Sequence, residues 1–262
     1  SIYLSSLRWK LLIPKALKIK RLFSMYMIGS FFNTCMPGII GGDTVKAYYL
    51  NRELKSSQRS TNIKGTPPES LIIAIASVFI DRYIGLFALL FIGLVSLPFG
   101  IYYIDGTPLK WFIPIAFGAF VIGTIAIFTF RIGKGIKFFF GIYEYFNIYK
   151  KEYGKLLKAF LYSIGIQILN IISVFILSKG LSINIPLLSL FIFIPIITII
   201  SVIPISISGI GLREGAFAFL LGHLGISSDV SVTLSLLWFL SIVVASIGGL
   251  TEYLRYKKQP PI

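Results

Sequence analysis

Three pairs of charged residues lie inside or beside long apolar stretches of the sequence. The pairs are Asp43 with Lys46, Asp81 with Arg82, and Arg213 with Glu214. A charge in surroundings as apolar as a bilayer centre costs about 2.5 to 3.5 kcal/mol on insertion scales, so each pair needs a partner or a polar cavity. A cation retained there is suited to binding a phosphate, and a neighbouring acid can balance it or contact an amine. We therefore take these six residues as the candidate substrate-binding set.

Asp43 and Lys46 are three residues apart and directly follow Gly41 and Gly42. On a helix this spacing places both side chains on one face. The pattern predicts that Asp43 caps a helix beginning at Thr44, accepting backbone N–H groups that lack a helical partner. Lys46 would then lie beside a helix N-terminus, where glycine amides are accessible to a phosphate. A purely structural cap at Asp43 is the alternative.

Asp81 and Arg82 interrupt a single apolar run. The run has 11 uncharged residues before the pair and 22 after it, which places the pair about a third of the way along one long helix. In one interpretation the two charges face a polar cavity inside the membrane. In the other they pair with each other near the membrane interface, with the start of the helix drawn towards it.

Arg213 and Glu214 follow two glycines, Gly209 and Gly211. The stretch is not a P-loop, which ends in Lys followed by Ser or Thr, and its G-x-G-x-x-x-G spacing is not that of a dinucleotide fingerprint. An arginine at the start of a half-helix is still suited to bidentate phosphate binding, with Glu214 orienting it or contacting a cationic headgroup. The alternative is an Arg–Glu pair that extends to the outer membrane interface.

The composition excludes an ordinary soluble domain. Hydrophobic residues make up 56% of the 262 residues, charged residues only 13%, and the mean hydropathy is +0.85, whereas soluble domains are about 25% charged. The single cysteine, Cys35, excludes an internal disulfide and is expected to be a small buried residue. The single histidine, His223, excludes a multi-histidine metal site and is expected to pack rather than catalyse. We therefore expect no catalytic residue, no metal site and no cofactor.

The net charge of +15 is concentrated in four stretches between the apolar segments. They are residues 1–21 with +6, residues 44–69 with +3, residues 131–158 with +5, and the tail from Glu252 with +2. Basic clusters of this kind are typical of cytoplasmic loops facing anionic lipid rather than of a nucleic-acid-binding surface. We therefore expect a multi-pass protein of the cell membrane with a cytoplasmic C-terminus and no nucleic-acid partner.

The apolar segments predict an all-α, polytopic membrane protein, because about 20 apolar helical residues cross a hydrocarbon core. The predicted spans are Leu71 to about Leu97, Trp111–Phe130, Ala159–Ser178 and Val230–Thr251. Residues 131–158, where aromatic residues alternate with lysines, predict helices lying in the cytoplasmic interface. Residues 1–262 are interpreted as one transmembrane domain, and further spans are expected before Ser1.

Two segments rich in proline and glycine predict broken hairpins instead of continuous spans. Residues 22–42 would enter and leave on the cytoplasmic face, and residues 185–228 would enter from outside; a pair of full helices would give the second segment the same ends. Irregular backbone is tolerated at membrane depth where it is buried in protein or lines a cavity. The predicted turn residues are Pro37, Gly41 and Gly42 in the first hairpin, and Pro204, Gly209 and Gly211 in the second.

The two broken segments resemble one another. Pro37 to Lys46 and Pro204 to Arg213 both run from a proline through small residues and glycines to a cation that opens an apolar helix. Three predicted spans separate the segments, and an odd number inverts one copy relative to the other. Inverted repeats whose broken helices meet near the membrane midplane are a recurring transporter architecture. We therefore predict an inverted repeat of two re-entrant hairpins around a polar cavity.

Three motifs, taken in order, resemble the lysylphosphatidylglycerol synthetase transmembrane-region family. They are the segment from Ser30 to Tyr49, the segment Asp81-Arg-Tyr-Ile-Gly-Leu, and the segment from Pro204 to Gly215. Members of this family resemble the flippase half of the multiple peptide resistance factor, and relatives accompany polyprenyl- or dolichol-linked sugar transferases. The resemblance implies a membrane protein that moves or presents a phosphate-bearing lipid, such as an aminoacylated or a polyprenyl-linked one. The soluble aminoacyl-transferring domain of bifunctional members is expected to be missing, so synthesis of lysyl-lipid is not implied.

Two other functions fit the sequence. A membrane subunit of a polyprenyl-phosphate-dependent glycosyl or lipid transferase would use Asp43 or Asp81 as a general base, although the outer loops are short for a sugar-donor site. A scaffold would anchor partner enzymes through residues 131–158. Membrane lipids are the expected partners of a flippase, with a lipid-modifying enzyme or glycosyltransferase as a further expected partner, and the sequence leaves homo-oligomers open.

Overall fold

The structure is a computed structural model that describes residues 1–13, 17–35, 40–60, 67–130, 143, 152–202 and 211–258. These residues form an all-α fold and include no β-strand. The α-helices are α1 Ile2–Leu11, α2 Ile19–Cys35, α3 Ile40–Ser60, α4 Pro67–Gly100, α5 Phe112–Phe130, α6 Tyr153–Gly180, α7 Leu187–Val202, α8 Leu212–Gly222 and α9 Ser228–Lys258. Two short 3-10 helices, Ile101–Ile104 and Pro108–Trp111, connect α4 to α5.

In the described ranges, four helical segments are long and apolar enough to cross a membrane, as the sequence predicts. They are Ser70–Ile104, Pro108–Phe130, Tyr153–Gly180 and Ser228–Tyr256. Each contains one of the predicted spans, because an uncharged apolar helix of this length matches the hydrocarbon thickness. Only 6% of the apolar window of Pro108–Phe130 is buried, so α5 lies at the edge of the bundle. The chain is a multi-pass membrane protein.

The third span begins earlier than predicted. The sequence analysis starts it at Ala159, whereas α6 begins at Tyr153. The first turns of α6 contain no proline, and Gly154 lies at an end where its low helix propensity costs little. Residues 131–142 and 144–151 of the predicted interfacial segment lie outside the described residues, so the position of this segment at the interface stays a prediction.

The basic N-terminal stretch is not simply a loop. Its first half forms α1, which packs against α2, α4 and α6. Arg8 and Trp9 are buried, and the indole Nε1 of Trp9 donates a hydrogen bond to Ser77 Oγ at 3.2 Å. Burial of one large apolar side chain stabilises a fold by about 1.5 to 3 kcal/mol. The sequence analysis placed Arg8 in a basic stretch at the cytoplasmic surface, whereas in the structure Arg8 is buried inside the helix bundle.

Helix α7 lies at the centre of the larger apolar core. Fully or almost fully buried side chains follow one another from Ser189 to Ile197, among them Leu190, Ile192, Phe193, Ile194 and Ile197. A helix that is hydrophobic on all sides is typical of an element enclosed by other helices. The neighbours of α7 are α4, α6 and α8, so α7 anchors the second predicted hairpin inside the bundle.

Each predicted hairpin segment contains two helices that pack against each other. α2 packs against α3, and α7 packs against α8. The turn residues Pro37, Pro204 and Gly209 fall between these helices and lie outside the described residues. Gly211 directly precedes α8 with φ +91°, a left-handed conformation that glycine adopts without steric cost. The turn predicted at Gly211 is therefore present.

Gly41 and Gly42 belong to the first turn of α3 and not to a turn that precedes it. α3 begins at Ile40, four residues before the predicted start at Thr44. A Cβ atom on Gly42 would lie 1.9 Å from the carbonyl oxygen of Gly29. Gly42 is thus required because the backbones of α2 and α3 touch at this point.

Helix α2 runs antiparallel to the C-terminal half of α9. The Arg21 guanidinium lies 4.9 Å from the ring centroid of Tyr256, and a Cβ atom on Gly249 would lie 2.1 Å from the carbonyl oxygen of Met27. At a rise of 1.5 Å per residue, Cys35 lies about 12 Å further along than Met27. The end of α2 is therefore level with the middle of α9.

Helix α8 approaches the same face of α9 from the other end. The Arg213 Nε atom donates a hydrogen bond to Ser235 Oγ at 3.2 Å, and the Phe217 ring contacts the Trp238 ring with centroids 5.9 Å apart. The repeat of 3.6 residues per turn places Ser235 and Trp238 on the face that also carries Gly249. The start of α8 and the end of α2 thus both lie beside the central part of α9.

Candidate functional site

The carboxylate of Asp43 binds two cations at the start of α3. Arg82 of α4 donates from Nε to Oδ2 at 2.8 Å and from Nη2 to Oδ1 at 3.0 Å, a two-point contact. The Lys46 Nζ atom lies 3.0 Å from Oδ1, one helical turn away on α3. A forked arginine–carboxylate contact is among the stronger charge-assisted interactions. It joins the first hairpin to the first long span.

The Lys46 side chain is enclosed, with 1% of it exposed. Its aliphatic part crosses Gly29, where a Cβ atom would lie 2.4 Å from Lys46 Cγ. The ammonium lies 4.2 Å from the ring centroid of Tyr26 and 5.7 Å from that of Trp9. Its contact with Asp43 has the distance of an ion pair without the angles of a hydrogen bond. Lys46, predicted as the accessible phosphate ligand, is instead a buried cation held by a carboxylate and two aromatic rings.

Asp81 is fully buried and binds a residue that the sequence analysis did not select. Arg8 of α1 donates from Nε to Asp81 Oδ1 at 2.7 Å, and the Tyr26 hydroxyl donates to Oδ2 at 3.1 Å. The Nη1 atom of Arg8 also donates to Ser163 Oγ of α6 at 2.9 Å. This network joins four helices, and a buried ion pair needs such additional hydrogen bonds to offset desolvation. Asp81 therefore neither pairs with Arg82 nor faces an open cavity.

Arg82 is the accessible cation of the group. Its side chain is 46% exposed although it lies near the middle of the 34-residue α4. Asp43 and Asp81 are 16% and 0% exposed in contrast. A half-exposed guanidinium at this depth requires polar surroundings, because hydrocarbon does not solvate it. The predicted polar cavity therefore fits Arg82. Asp81 fits neither that cavity nor the alternative of a local pair with Arg82 near the membrane interface.

We call Arg8, Asp43, Lys46, Asp81 and Arg82 the Asp43 cluster. It contains three cations and two acids, so its formal charge is 3 − 2 = +1. Each acid forms an ion pair with at least one cation, and Arg82 is the cation that lies at the exposed edge of the cluster. The cluster can therefore attract one further anionic group, and the two nitrogen atoms of a guanidinium match the geometry of a phosphate.

The predicted role of Asp43 as an N-cap is wrong. Because α3 already begins at Ile40, Asp43 lies within its first turn. An acid in that position still interacts favourably with the positive end of the helix dipole. Its carboxylate contacts Lys46 on α3 and Arg82 on α4. The contact with Arg82 joins residues 39 positions apart, so the local sequence does not reveal it.

Arg213 and Glu214 form a second cluster at the start of α8. Arg213 Nη2 lies 2.8 Å from Glu214 Oε1, and both side chains contact the hydroxyl of Ser235 at 3.2 Å. The other carboxylate oxygen, Oε2, accepts the Gly211 N–H at 2.5 Å. The Arg213 guanidinium lies 4.6 Å from the ring centroid of Phe239. Glu214 thus both orients Arg213 and closes the first turn of α8.

The positive charge of Arg213 is balanced by Glu214 within the second cluster. Arg213 is 5% exposed, so it does not extend to the outer membrane interface as the structural alternative required. Its charge is balanced by Glu214, and no contact among the described residues joins this pair to the Asp43 cluster. The cavity lined by all six predicted residues therefore stays a prediction, while the structure brings Asp43, Lys46 and Arg82 together and adds Asp81 through Tyr26.

The partners of the Asp43 cluster were missed because they follow no local motif. Arg8 and Tyr26 are 73 and 55 residues from Asp81 in sequence. The one available signal was physical, since a buried Asp81 requires a cation and Arg82 points another way on the helix. Trp9 and Ser163 carry no pattern that would separate them from ordinary apolar and small residues.

Neither candidate general base of the transferase hypothesis is available in this arrangement. Asp81 accepts hydrogen bonds from Arg8 and Tyr26, and Asp43 accepts them from Arg82. A general base must reach a substrate proton and accept it. Both carboxylates are instead occupied by hydrogen bonds from cationic side chains.

The expected burial of Cys35 is wrong, whereas His223 packs against the ring of Phe219 without being buried. Cys35, the last residue of α2, is exposed. His223 is also exposed, and its Nδ1 atom makes a 2.8 Å hydrogen bond with the carbonyl oxygen of Phe219 at the end of α8. Within the described ranges, no three His, Cys, Asp or Glu side chains come together in a way that could hold a metal ion.

Comparison with known proteins identifies one family. Residues 1–249 match the family described as the lysylphosphatidylglycerol synthase TM region. The matched range includes the Asp43 cluster, the Arg213–Glu214 pair and most of α9. No curated protein and no solved structure matches the chain.

Proposed function

Because the chain belongs to the lysylphosphatidylglycerol synthase transmembrane-region family, we propose that it moves a phosphate-bearing lipid between the two leaflets of a membrane. A role connected with membrane lipids follows from the family. Translocation is our proposal, and one observation carries it: a half-exposed arginine, Arg82, lies about a third of the way along the membrane-spanning segment Ser70–Ile104.

The environment of Arg82 supports a headgroup site. The Asp43 cluster has a surplus charge of +1, and the N-terminus of α3 lies beside it. A helix N-terminus favours an anion through its free amides and its dipole. A lipid phosphate would contact Arg82, while an amine on the headgroup would contact the edge of Asp43. The acyl chains would remain in the bilayer.

The arrangement along α9 supports a site that is reached from both leaflets. The end of α2 and the start of α8 approach the middle of α9 from opposite directions along one face. We propose that both hairpins are re-entrant and that their breaks face each other at the midplane, as in transporters built from inverted repeats. In this arrangement the basic C-terminal end of α9 lies in the cytoplasm and the protein resides in the cell membrane.

The transferase and scaffold alternatives are less well supported. The acids that a transferase would use are bound to cations, and a scaffold gives no reason for a half-exposed arginine inside the membrane. With no nucleotide motif in the sequence, translocation would follow the lipid gradient or equilibrate the leaflets.

Leaflet exchange in vesicles tests the proposal. Labelled phosphatidylglycerol, lysyl-phosphatidylglycerol and polyprenyl phosphate would be incorporated separately with the purified protein and with an R82Q variant. We expect the wild-type protein to accelerate exchange of at least one of these lipids and R82Q to lose most of the acceleration. The matched control is R255Q, which removes an arginine that is 75% exposed and paired with Glu252 at the end of α9.

The outcomes separate the hypotheses. Exchange by wild type and R255Q but not by R82Q supports the proposal. No exchange of any of the three lipids by folded wild-type protein would reject translocation in favour of a transferase subunit or a scaffold. Exchange that R82Q leaves unchanged would reject the Asp43 cluster as the headgroup site. The R213A variant then determines whether the second cluster takes that role.

A further inference from the structure

An apolar groove runs between α4 and α6 on the flank of the bundle. It has a volume of about 540 Å³, which is within the range of about 300 to 1,000 Å³ of small-molecule sites. α4 contributes four lining residues and α6 contributes five. The side chains that carry the argument are Ile80, Tyr83, Phe87, Leu156, Leu157 and Phe160.

The wall of the groove is an aromatic cluster in fixed contact. Phe87 packs against Phe160 with ring centroids 5.4 Å apart and against Phe120 of α5 at 6.0 Å. The Tyr83 ring lies 4.7 Å from Phe120, and its hydroxyl shares a 2.7 Å hydrogen bond with Thr124. With that hydroxyl directed at α5, the groove is bounded almost wholly by carbon. Its shape is therefore defined before any ligand enters.

The position of the groove restricts its occupant. Both α4 and α6 are membrane-spanning helices, so the groove opens towards lipid. Tyr153 and Leu157 at the α6 side are 71% and 59% exposed, and apolar surface of this kind faces hydrocarbon in a membrane protein. A hydrocarbon chain fits these walls, whereas a polar ligand would leave its hydrogen-bonding groups unpaired.

Basic residues lie at one end of the groove. Lys158 is exposed and follows the groove residue Gly154 by one turn of α6, whereas Lys155 is paired with Glu152. Long basic side chains near a helix end can reach the membrane surface while their stems follow apolar surface. Cations close to a membrane surface attract anionic lipid.

We propose that this groove binds one acyl chain of an anionic phospholipid, whose headgroup phosphate contacts Lys158. This site does not depend on the proposed translocation. On α4, the groove residues Ile80, Tyr83 and Phe87 face away from Arg82, which is directed at α3. The bound lipid would be a resident of the α4–α6 flank and not the molecule held at the Asp43 cluster.

Photochemical labelling of the full chain in vesicles tests this inference. Phosphatidylglycerol and phosphatidylcholine would each carry a diazirine in the middle of one acyl chain, and labelled peptides would be mapped by mass spectrometry. We expect labelling of Tyr83, Phe87 or Phe160 by phosphatidylglycerol. We expect the K158Q variant to reduce it about fivefold, the factor that one basic residue beside an anionic lipid provides.

Filling the groove supplies the matched pair of variants. A Cβ atom on Gly154 or on Gly180 has no described atom within 4 Å, so a side chain can start at either end of α6 without a clash at Cβ. Only Gly154 lines the groove. We expect G154F to abolish labelling of the groove peptides and G180F to leave it unchanged, while R82Q retains labelling even if it loses lipid exchange.

Three results would overturn the inference. One is labelling of the groove peptides that G154F leaves intact. A second is equal labelling by the two lipids that K158Q does not change, since the groove would then select no headgroup. The third is no label in the groove peptides from either lipid while α5, at the lipid-facing edge of the bundle, is labelled.

Discussion

Asp81 and Arg82 are adjacent residues that bind different helices. Successive residues of a helix point about 100° apart, so Asp81 is directed at Arg8 of α1 while Arg82 is directed at Asp43 of α3. The first contact is sealed inside the bundle and the second lies at an edge. One dipeptide therefore combines a structural ion pair with an accessible cation, and the two should respond differently to substitution.

Removing one partner of the buried pair should destabilise the fold strongly. We expect R8M and D81L each to lower the free energy of unfolding by about 3 to 5 kcal/mol, because each leaves an unpaired charge in an apolar interior. The double variant R8M/D81L should regain much of this loss. Unfolding of the purified protein in detergent, followed by circular dichroism, measures the difference.

An exposed arginine provides the control for this cycle. R255M removes a cation that is 75% exposed, and surface ion pairs contribute about 0 to 1 kcal/mol. Single variants R8M and D81L that unfold like R255M would contradict the buried network.

Arg213 should depend on the shape of its side chain and not only on its charge. Its guanidinium contacts Glu214, Ser235 and the ring of Phe239 at once, and a lysine cannot reproduce that set. We expect R213K to increase hydrogen exchange of the amides in the first turn of α8 about tenfold or more, since a charged hydrogen bond contributes about 1.5 to 3 kcal/mol. Exchange rates in α8 equal to those of the wild type would contradict this assignment.

At the scale of elements, α2 is in backbone contact with helices on two sides. Gly42 of α3 meets the carbonyl oxygen of Gly29, and Gly249 of α9 meets that of Met27. Small residues allow such close approach between helices in membranes, where packing rather than hydrophobic exclusion drives association. The first hairpin is therefore attached to the last span by its backbone.

A single methyl group should disturb this attachment. We expect G249A to lower the free energy of unfolding by about 1 to 3 kcal/mol, as overpacking does in tight cores. G123A on α5 is the control, because a Cβ atom there has no neighbour within 4 Å, and it should stabilise by about 0.5 to 1 kcal/mol. Melting curves of the two variants in the same detergent decide the matter, and equal shifts would contradict the contact.

The elements could be predicted from sequence where length and apolarity define them. The cores of all four spans were found because uncharged stretches of this length have one common outcome. α1 could not be found, since Arg8 and its lysine neighbours resemble a loop and only the packing of Trp9 reveals the helix. In the site, the residue types of Asp43 and Arg82 signalled a role, but their pairing required the tertiary structure.

At the scale of the whole molecule, a second polar contact joins the first hairpin to the last span at the basic end of the bundle. Arg21 of α2 donates to Glu53 of α3 at 2.6 and 2.8 Å, and the Tyr256 hydroxyl of α9 donates to the same carboxylate. This end is predicted to be cytoplasmic. At the opposite end of α2, Asn33 accepts a hydrogen bond from the Gly42 N–H at 2.9 Å, and Cys35 is exposed.

Thiol labelling should reveal the face from which the first hairpin enters. We expect a membrane-impermeant maleimide to reach Cys35 from the cytoplasmic side, because both ends of the hairpin are predicted to be cytoplasmic. In a Cys35→Ser background, E252C and D105C calibrate the two faces, since these positions lie at opposite ends of the bundle. Labelling of Cys35 from outside alone would contradict a cytoplasmic hairpin.

The surplus charge of the Asp43 cluster has a consequence for membrane voltage. An elementary charge that crosses the full potential changes its energy by about 2.3 kcal/mol per 100 mV. With one monoanionic phosphate bound, the cluster, whose own charges sum to +1, becomes neutral. A transmembrane voltage would therefore act on the empty protein and not on the loaded one, so an imposed potassium potential should bias which leaflet the unoccupied site faces.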